Sequence, residues 1–327
     1  MGDDARMDGP IVICEGPRFG EGPVWCAPTD AHPEGSLVCT SVSDGTLHRV
    51  DLATGTREVL ADTGGGPNGA APAADGGFVI TQNGGLDFSV FGFFADAPPP
   101  VPTIPSGLQH VAADGAVTTL LAGVSNGPND LVVGPDGTVY FTDPPHWPVP
   151  EEPAGRVGRV MAWSATGGLR TVAAGLHYPN GIAFDLDGTL LVAENGLHME
   201  GQCLLHLHPD GPPDQVGERL AAGRTVDGFA LDVEGRVYAA GGGHVVTVLE
   251  PDGHGDLRVV EVLESPGDHP VSTNCCFGGP DGRTLFAVDA GSPGHVYCWT
   301  GLPAPGLTLH TWPGPSAPNG PLARRQL

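Results

Sequence analysis

The chain of 327 residues contains no lysine, and arginine supplies all fourteen of its Lys and Arg positions, against 38 aspartates and glutamates. Its formal net charge at pH 7 is −24. Nucleic acids and anionic membrane surfaces are bound through cationic patches, so the composition argues against both kinds of partner. A polyanionic substrate is also disfavoured unless a bound cation reverses the local field. We therefore expect a small-molecule substrate, and the sequence leaves the oligomeric state open.

Other features are missing as well. No stretch keeps a 3.6-residue apolar period, and the acidic start, MGDDARMDGPIVICEG, lacks the apolar core of a signal peptide or a membrane span. The seven cysteines are an odd number without regular spacing or a CxxC pair. Reduced thiols in a cytoplasmic protein are the simplest interpretation, and disulfide or zinc chemistry is disfavoured.

Glycine and proline are abundant, with 52 and 34 residues, and they fall between short apolar runs. This distribution is typical of an all-β fold with many tight turns. We predict one domain over residues 1–327, with a short flexible leader and a loose C-terminal tail from about residue 313.

A repeat organises the chain. Six polar landmarks recur with gaps of 47, 61, 51, 47 and 47 residues. They are Glu21, Asn68, Asn129, Asn180, Asp227 and Asn274. Each of the last five precedes an acidic-glycine turn, such as Asp136-Gly137, and a β-rich run, such as TVYFTD. A repeat of this length built from β-meanders predicts a six-bladed β-propeller of four-stranded antiparallel blades.

The repeat also predicts blade boundaries. Blade one should run from about Glu21 to Ala61, and blade six should end near Trp312. We expect IVICEG near the N-terminus to complete blade six, because an open ring would expose strand edges. The second repeat is longer than the others, and its additional segment, residues 91–107, is rich in phenylalanine and proline. Its polyproline stretch cannot form the hydrogen bonds of a β-sheet. The segment is either a lid over the tunnel or a solvent loop that packs its own phenylalanines.

Rotational repeats would bring the six landmarks to one axis. Carboxylate and amide oxygens are hard ligands that suit Ca²⁺ or Mg²⁺. Each landmark alone could simply cap a turn. Six at one register favour a metal site, because a pocket lined by unpaired carboxylates is costly without a cation.

Several segments resemble the SMP-30/gluconolactonase/luciferin-regenerating enzyme (LRE) family over residues 18–300. They are EGPVW, PNDLVVGPDGTVYFTDPP, YPNGIAFDLDGTLLVAE, VDGFALDVEGRVY and STNCCFGGPDGRTLFAV. The resemblance implies a six-bladed propeller that holds a divalent cation, usually Ca²⁺, with Mg²⁺, Mn²⁺ or Zn²⁺ as alternatives, and often hydrolyses lactones. Its motifs imply four ligands, Glu21, Asn129, Asn180 and Asp227, with Asn68 and Asn274 lining the pocket.

The resemblance also bears on catalysis and substrate. Glu21 and Asp227 are the catalytic candidates, and Asp227 could act as nucleophile or as general base. Animal sugar lactonases of the family carry an arginine two residues before the Asn of the ND motif, where this chain has Gly127. This departure favours a less polar or bulkier substrate. Further substrate-binding candidates near the tunnel mouth are Phe93, His146, Trp147, Tyr178, His198 and His269.

The leading function is thus a metal-dependent hydrolase of a lactone or related ester. A biosynthetic enzyme for cyclisation, ring opening or isomerisation could use the same centre. A phosphotriesterase-like hydrolase and a non-catalytic binding propeller are weaker alternatives, the last because a scaffold needs no buried carboxylate pair.

Overall fold

The computed structural model describes residues 7–88, 103–123, 126–146, 157–196, 202–207, 214–216, 226–243, 245–254, 256–267 and 271–315. These ranges form twenty-four strands in six antiparallel sheets of four strands each, and no α-helix occurs among them. The prediction of a six-bladed β-propeller is confirmed. No helix long and apolar enough to cross a membrane occurs in the same ranges.

Each blade contains four strands, counted from the axis outward. Blade one contains β2 (Gly20–Cys26), β3 (Ser36–Ser41), β4 (Thr46–Asp51) and β5 (Arg57–Asp62). Blade two contains β6 (Pro67–Pro72), β7 (Phe78–Gln82), β8 (Gly107–Val111) and β9 (Val117–Ala122). Blade three contains β10 (Leu131–Val133), β11 (Val139–Asp143), β12 (Gly158–Ser164) and β13 (Gly168–Leu176).

The second half of the ring repeats the arrangement. Blade four contains β14 (Tyr178–Phe184), β15 (Leu190–Asn195), β16 (Cys203–Leu207) and β17 (Asp214–Val216). Blade five contains β18 (Val226–Leu231), β19 (Val237–Gly241), β20 (Val245–Pro251) and β21 (Leu257–Glu264). Blade six contains β22 (Ser272–Gly278), β23 (Thr284–Asp289), β24 (Gly294–Thr300) and β1 (Asp8–Gly16).

The ring is closed by the two ends of the chain. β1 lies antiparallel to β24, with Ile11 opposite Cys298 and Gly16 opposite Gly294. IVICEG therefore supplies the outermost strand of blade six, as predicted. Each inner strand contacts the inner strands of both neighbouring blades, including β22 with β2. The six inner strands thus surround one tunnel.

The five acidic-glycine turns have one shared geometry. Their glycines, Gly76, Gly137, Gly188, Gly235 and Gly282, all have φ between 70° and 84°. This left-handed conformation favours glycine over residues that carry a Cβ. In the turn at Asp136, the Oδ1 atom accepts a hydrogen bond from the backbone N of Thr138 at 2.9 Å. The repeated sequence signal therefore corresponds to a repeated backbone requirement.

The core lies between the blades. Leu131 and Val133 of blade three pack with Val79 and Leu108 of blade two, all at most 8% exposed. Such clusters join neighbouring blades around the ring. All seven cysteines lie in the described ranges and are free thiols.

The chain after β24 differs from the expectation that blade six ends near Trp312. The last strand ends at Thr300, and residues 302–314, here called the strap, cross the end of the tunnel where the inner strands finish. The strap bonds first to blade six, where the N of Leu302 donates to Arg283 O at 3.0 Å. It bonds next to blade five, where the N of Leu307 donates to Leu231 O at 2.9 Å.

The strap ends on the opposite side of the ring. The N of Trp312 donates to Pro72 O of blade two at 2.9 Å. The indole ring of Trp312 is 2% exposed and packs near His110 of blade two and Trp163 of blade three. Since blades five and two stand across the axis from each other, the strap spans the tunnel.

Candidate metal centre

Irregular strand pairing positions the landmark side chains. In β2, β6, β14, β18 and β22 the register with the second strand shifts at the landmark, for example between Glu21 and Val24. In blade three β10 begins only after the landmark. There the N of Asn129 donates to Thr142 O and the N of Thr142 donates to Asp130 O, both at 3.0 Å. A β-bulge bends the strand and changes the direction of its side chains. Irregular pairing of this kind therefore recurs at one level of the tunnel.

The carboxylates at this level are buried. Glu21 is 2% exposed and Asp227 is 8% exposed. Burial raises the pKa of Glu21 well above its usual value, and the charges of Asp227 and Asp130 raise it further. Burial also raises the pKa of Asp227, followed by the charge of Asp130, and a hydrogen bond from Asn180 partly offsets these effects. Each of these negative charges is thus destabilised by burial and by its neighbours.

Amide oxygens complete the centre. Within the described ranges, the buried Oδ1 atoms of Asn68, Asn129 and Asn180 accept no hydrogen bond. An unpaired buried acceptor costs about 1–3 kcal/mol, so three at one level need a compensating donor or cation. Buried amide oxygens beside carboxylates are the donor set that Ca²⁺ takes. The residues present therefore fit a hard divalent cation.

The amides are needed for such a site. No three His, Cys, Asp or Glu side chains of the described ranges converge closely enough to hold an ion by themselves. An ion at this level would consequently require Asn oxygens from separate blades as well as the carboxylates.

Asp130 is a member of the centre that the landmark pattern does not contain. It is 6% exposed, and its Oδ1 accepts a hydrogen bond from Asn274 Nδ2 at 2.8 Å. Burial raises the pKa of Asp130 to about 7. The alternation of an ideal strand would place the residue after Asn129 on the opposite face, and the irregular pairing at Thr142 removes that constraint.

A signal for Asp130 does exist in the sequence. The landmark is followed by glycine in four blades, at Gly22, Gly69, Gly181 and Gly228, and by Cys275 in blade six. Only blade three carries an acidic residue there. Because the other blades carry glycine or cysteine at this position, the single carboxylate there marks Asp130 as a candidate site residue.

Besides Asn68 and Asn274, the structure describes two of the candidate substrate-binding residues, Tyr178 and His146. The pKa of Tyr178 is raised by burial and then by the charges of Asp227 and Glu21, so its hydroxyl lies within their field. His146 is exposed, and an ideal Cβ on Gly127 would lie 3.5 Å from its ring. Phe93, Trp147, His198, His269 and the proposed lid residues 91–102 lie outside the described residues.

A cavity of about 250 Å³ continues along the tunnel toward the strap. Asp130 and Asn274 line it, whereas the other five landmarks do not. Its walls are mostly apolar and include Phe184, Phe229 and Leu307. Asp130 and Asn274 therefore separate the polar centre from an apolar compartment.

A six-bladed propeller with carboxylates and amides gathered on its axis defines a class of proteins with a polar central tunnel. Residues 19–290 match the family model for the SMP-30/Gluconolactonase/LRE-like region, and the chain belongs to this family. This confirms the resemblance noted from its motifs.

Individual relatives agree with this assignment. The gluconolactonase of Zymomonas mobilis is 30% identical over 177 residues, 49% of this chain and 47% of that protein. The chain thus aligns with about half the length of this relative. Pentonolactonase XacC of Haloferax volcanii is 26% identical over 85% of this chain and 83% of its own. The structure of a gluconolactonase from Xanthomonas campestris is 25% identical, has a TM-score of 0.65 and covers 88% of each chain.

Proposed function

We propose that this protein is a metal-dependent hydrolase of a lactone or a related ester, with a divalent cation, Ca²⁺ by preference, bound by Glu21, Asn129, Asn180 and Asp227. The observation that carries the proposal is the set of buried amide oxygens without hydrogen-bond donors beside two buried carboxylates. Family membership and the names of two lactonase relatives support it.

The bound ion would supply a Lewis acid that polarises the carbonyl and stabilises the oxyanion formed from it. The chain's own groups supply proton transfer. The Asn180 amide donates a hydrogen bond to Asp227 and orients that carboxylate. Asp227 is buried in the tunnel beside this amide, and we assign to it the role of accepting a proton from water.

In the proposed reaction, the water oxygen bonds to the carbonyl carbon and the ring C–O bond breaks. The proton taken by Asp227 then passes to the leaving alkoxide, so the product is a hydroxy acid.

The first test is an assay of chelated protein, with and without added Ca²⁺, on a panel of glucono-δ-lactone, γ-butyrolactone and an aryl ester. We expect activity only with the ion. Asp227→Asn should lower kcat about 10²–10⁴-fold, the range typical of a lost general base. The control is Asp136→Asn, because asparagine forms the same turn as the exposed Asp136.

Activity that survives chelation, or Asp227→Asn with the kcat of Asp136→Asn, would contradict the proposal. Single-turnover hydrolysis in H₂¹⁸O separates the two roles of Asp227. Label found only in the product supports the general base, and label found in the Asp227 carboxylate shows that it is the nucleophile.

A further inference from the structure

Asn274 links two carboxylates that belong to different blades. Its Nδ2 donates to Glu21 Oε2 of blade one at 3.0 Å and to Asp130 Oδ1 of blade three at 2.8 Å. Its Oδ1 accepts a hydrogen bond from the backbone N of Cys275 at 2.8 Å. The amide is 6% exposed, so its hydrogen-bonding groups are committed inside the tunnel.

This bonding distinguishes Asn274 from the other landmark asparagines. The Oδ1 atoms of Asn68, Asn129 and Asn180 have no donor in the described part of the chain. The Oδ1 atom of Asn274 is already used by Cys275, so this side chain is not suited to be a ligand. Its donor group instead faces carboxylates, which is the position of a residue that orients a ligand.

Glu21 is the carboxylate that Asn274 orients. Its Oε2 accepts from Asn274 and also from the backbone N of Gly22 at 3.2 Å. No hydrogen bond to its Oε1 is present among the described residues, so Oε1 is the oxygen available to an ion. Two donors on one oxygen fix the rotation of the carboxylate plane.

Steric contacts hold the link in place. A Cβ on Gly228 would lie 2.1 Å from the Asn274 Cγ, so the amide rests directly on the Gly228 backbone. A Cβ on Gly69 would lie 2.8 Å from the Asp130 Cα. Glycines on neighbouring blades therefore make room for one chain of contacts, Glu21–Asn274–Asp130, across the tunnel.

We propose that Asp130 and Asn274 form a crossbar that positions Glu21 for the metal ion, with Asn274 as the central positioning residue and Asp130 as its anchor. The proposal rests on the proposed metal-dependent function but assigns neither residue as a ligand. In this proposal the crossbar positions Glu21 through hydrogen bonds and shape, and the comparison of Asp130→Asn with Asp130→Ala separates these contacts from the charge of Asp130.

The test measures Ca²⁺ affinity by calorimetry and Tb³⁺ affinity by luminescence on the full chain. Asn274→Ala and Asp130→Ala should each weaken Ca²⁺ binding about 10–100-fold, the cost usual for a lost outer partner of a metal ligand. Asp130→Asn retains an oxygen that accepts from Asn274, so it should lose clearly less affinity than Asp130→Ala. Gly228→Ala keeps every crossbar atom but displaces the amide, and it should bind as weakly as Asn274→Ala.

The matched control is Thr273→Val. Thr273 is the residue before Asn274, is 0% exposed and donates through Oγ1 to the backbone oxygens of Gly20 and Val288, at 2.5 and 3.2 Å, so it bonds to the backbone beside Glu21 but not to its carboxylate. It should lose stability with little change in Ca²⁺ affinity. Urea unfolding of each variant without the ion identifies any that fail to fold.

The outcomes separate the two proposals. If the wild-type chain binds neither ion, the metal centre itself is wrong. The crossbar is refuted if the wild-type chain binds Ca²⁺ but the two variants Gly228→Ala and Asn274→Ala bind Ca²⁺ as tightly as the control Thr273→Val does. Equal losses in Asp130→Asn and Asp130→Ala would also overturn it, because Asp130 would then act by charge alone.

Discussion

At the residue scale, the centre brings together charge and burial, which oppose each other. Glu21, Asp130 and Asp227 come from three blades, and each is at most 8% exposed. The Arg side chains of the described ranges form their ion pairs with other acids, such as Asp44 and Asp143. A cation, bound protons or both must therefore compensate the three carboxylates, and pH should reveal which.

The raised pKa of Asp130 gives a signed prediction for the metal-free protein. Its pKa is about 7 in the folded state against a usual 3.8, so folding binds a proton. Stability from this group is complete below about pH 4 and is lost as pH rises through 7. The raised pKa values of Glu21 and Asp227 act in the same direction.

We therefore expect the melting temperature of chelated protein to fall between pH 5 and pH 7.5, and Asp130→Asn to flatten this fall. Differential scanning calorimetry across that range, in buffers of constant ionic strength, provides the measurement. The lowered pKa of the largely exposed Asp75 makes the folded state less stable as the pH falls, but only below about pH 4. A wild-type profile that is flat, or that rises with pH, would contradict this account.

The sequence predicts residue placement unevenly. Rotational repetition is enough to bring Glu21 and Asp227 to one level, because equivalent positions of equivalent blades must face one axis. The repeat does not predict that Asp130 faces the tunnel. The direction of its side chain is set by the irregular pairing at Thr142, whereas regular strand alternation would place it on the opposite face. The distinct bonding of Asn274 depends on Asp130 and was equally out of reach.

At the element scale, local signals determined most of the fold. The acidic-glycine turns require left-handed glycines, and their spacing fixes the blade period. β1 was predicted from the need to close the ring. The strap was not predicted, because the sequence of residues 302–314 does not indicate their partners, which lie on blades five and two and are distant in sequence.

The strap provides the element-scale prediction. Trp312 is 2% exposed in the core between blades two and three. Trp312→Ala should lower the free energy of unfolding by about 3–5 kcal/mol, the usual cost of removing a buried Trp side chain. Leu309→Ala is the matched control, because Leu309 lies in the same strap and is 51% exposed.

Urea unfolding followed by tryptophan fluorescence and by circular dichroism measures both variants. If Trp312→Ala and Leu309→Ala have the same unfolding midpoint, the strap does not stabilise the ring. If the two probes disagree for Trp312→Ala alone, blades two and three unfold separately from the rest, which still assigns a stabilising role to the strap.

At the scale of the whole molecule, a net charge of −24 acts on a ring closed at two places. β1 closes the rim through blade six, and the inner strands β22 and β2 meet at the tunnel. Self-repulsion of this charge opposes the compact state. Salt screens it without site selectivity, whereas an ion bound by blades one, three, four and five would join blades directly.

These two effects can be separated by experiment. Ca²⁺ that binds only the folded ring should stabilise it by RT ln(1 + [Ca²⁺]/Kd), about 2.7 kcal/mol at one hundred times Kd. We expect millimolar CaCl₂ to raise the melting temperature well above that in NaCl of equal ionic strength. Glu21→Gln should keep the response to NaCl and lose most of the additional response to CaCl₂. Equal responses to the two salts in the wild-type chain would show that Ca²⁺ only screens charge and does not join the blades.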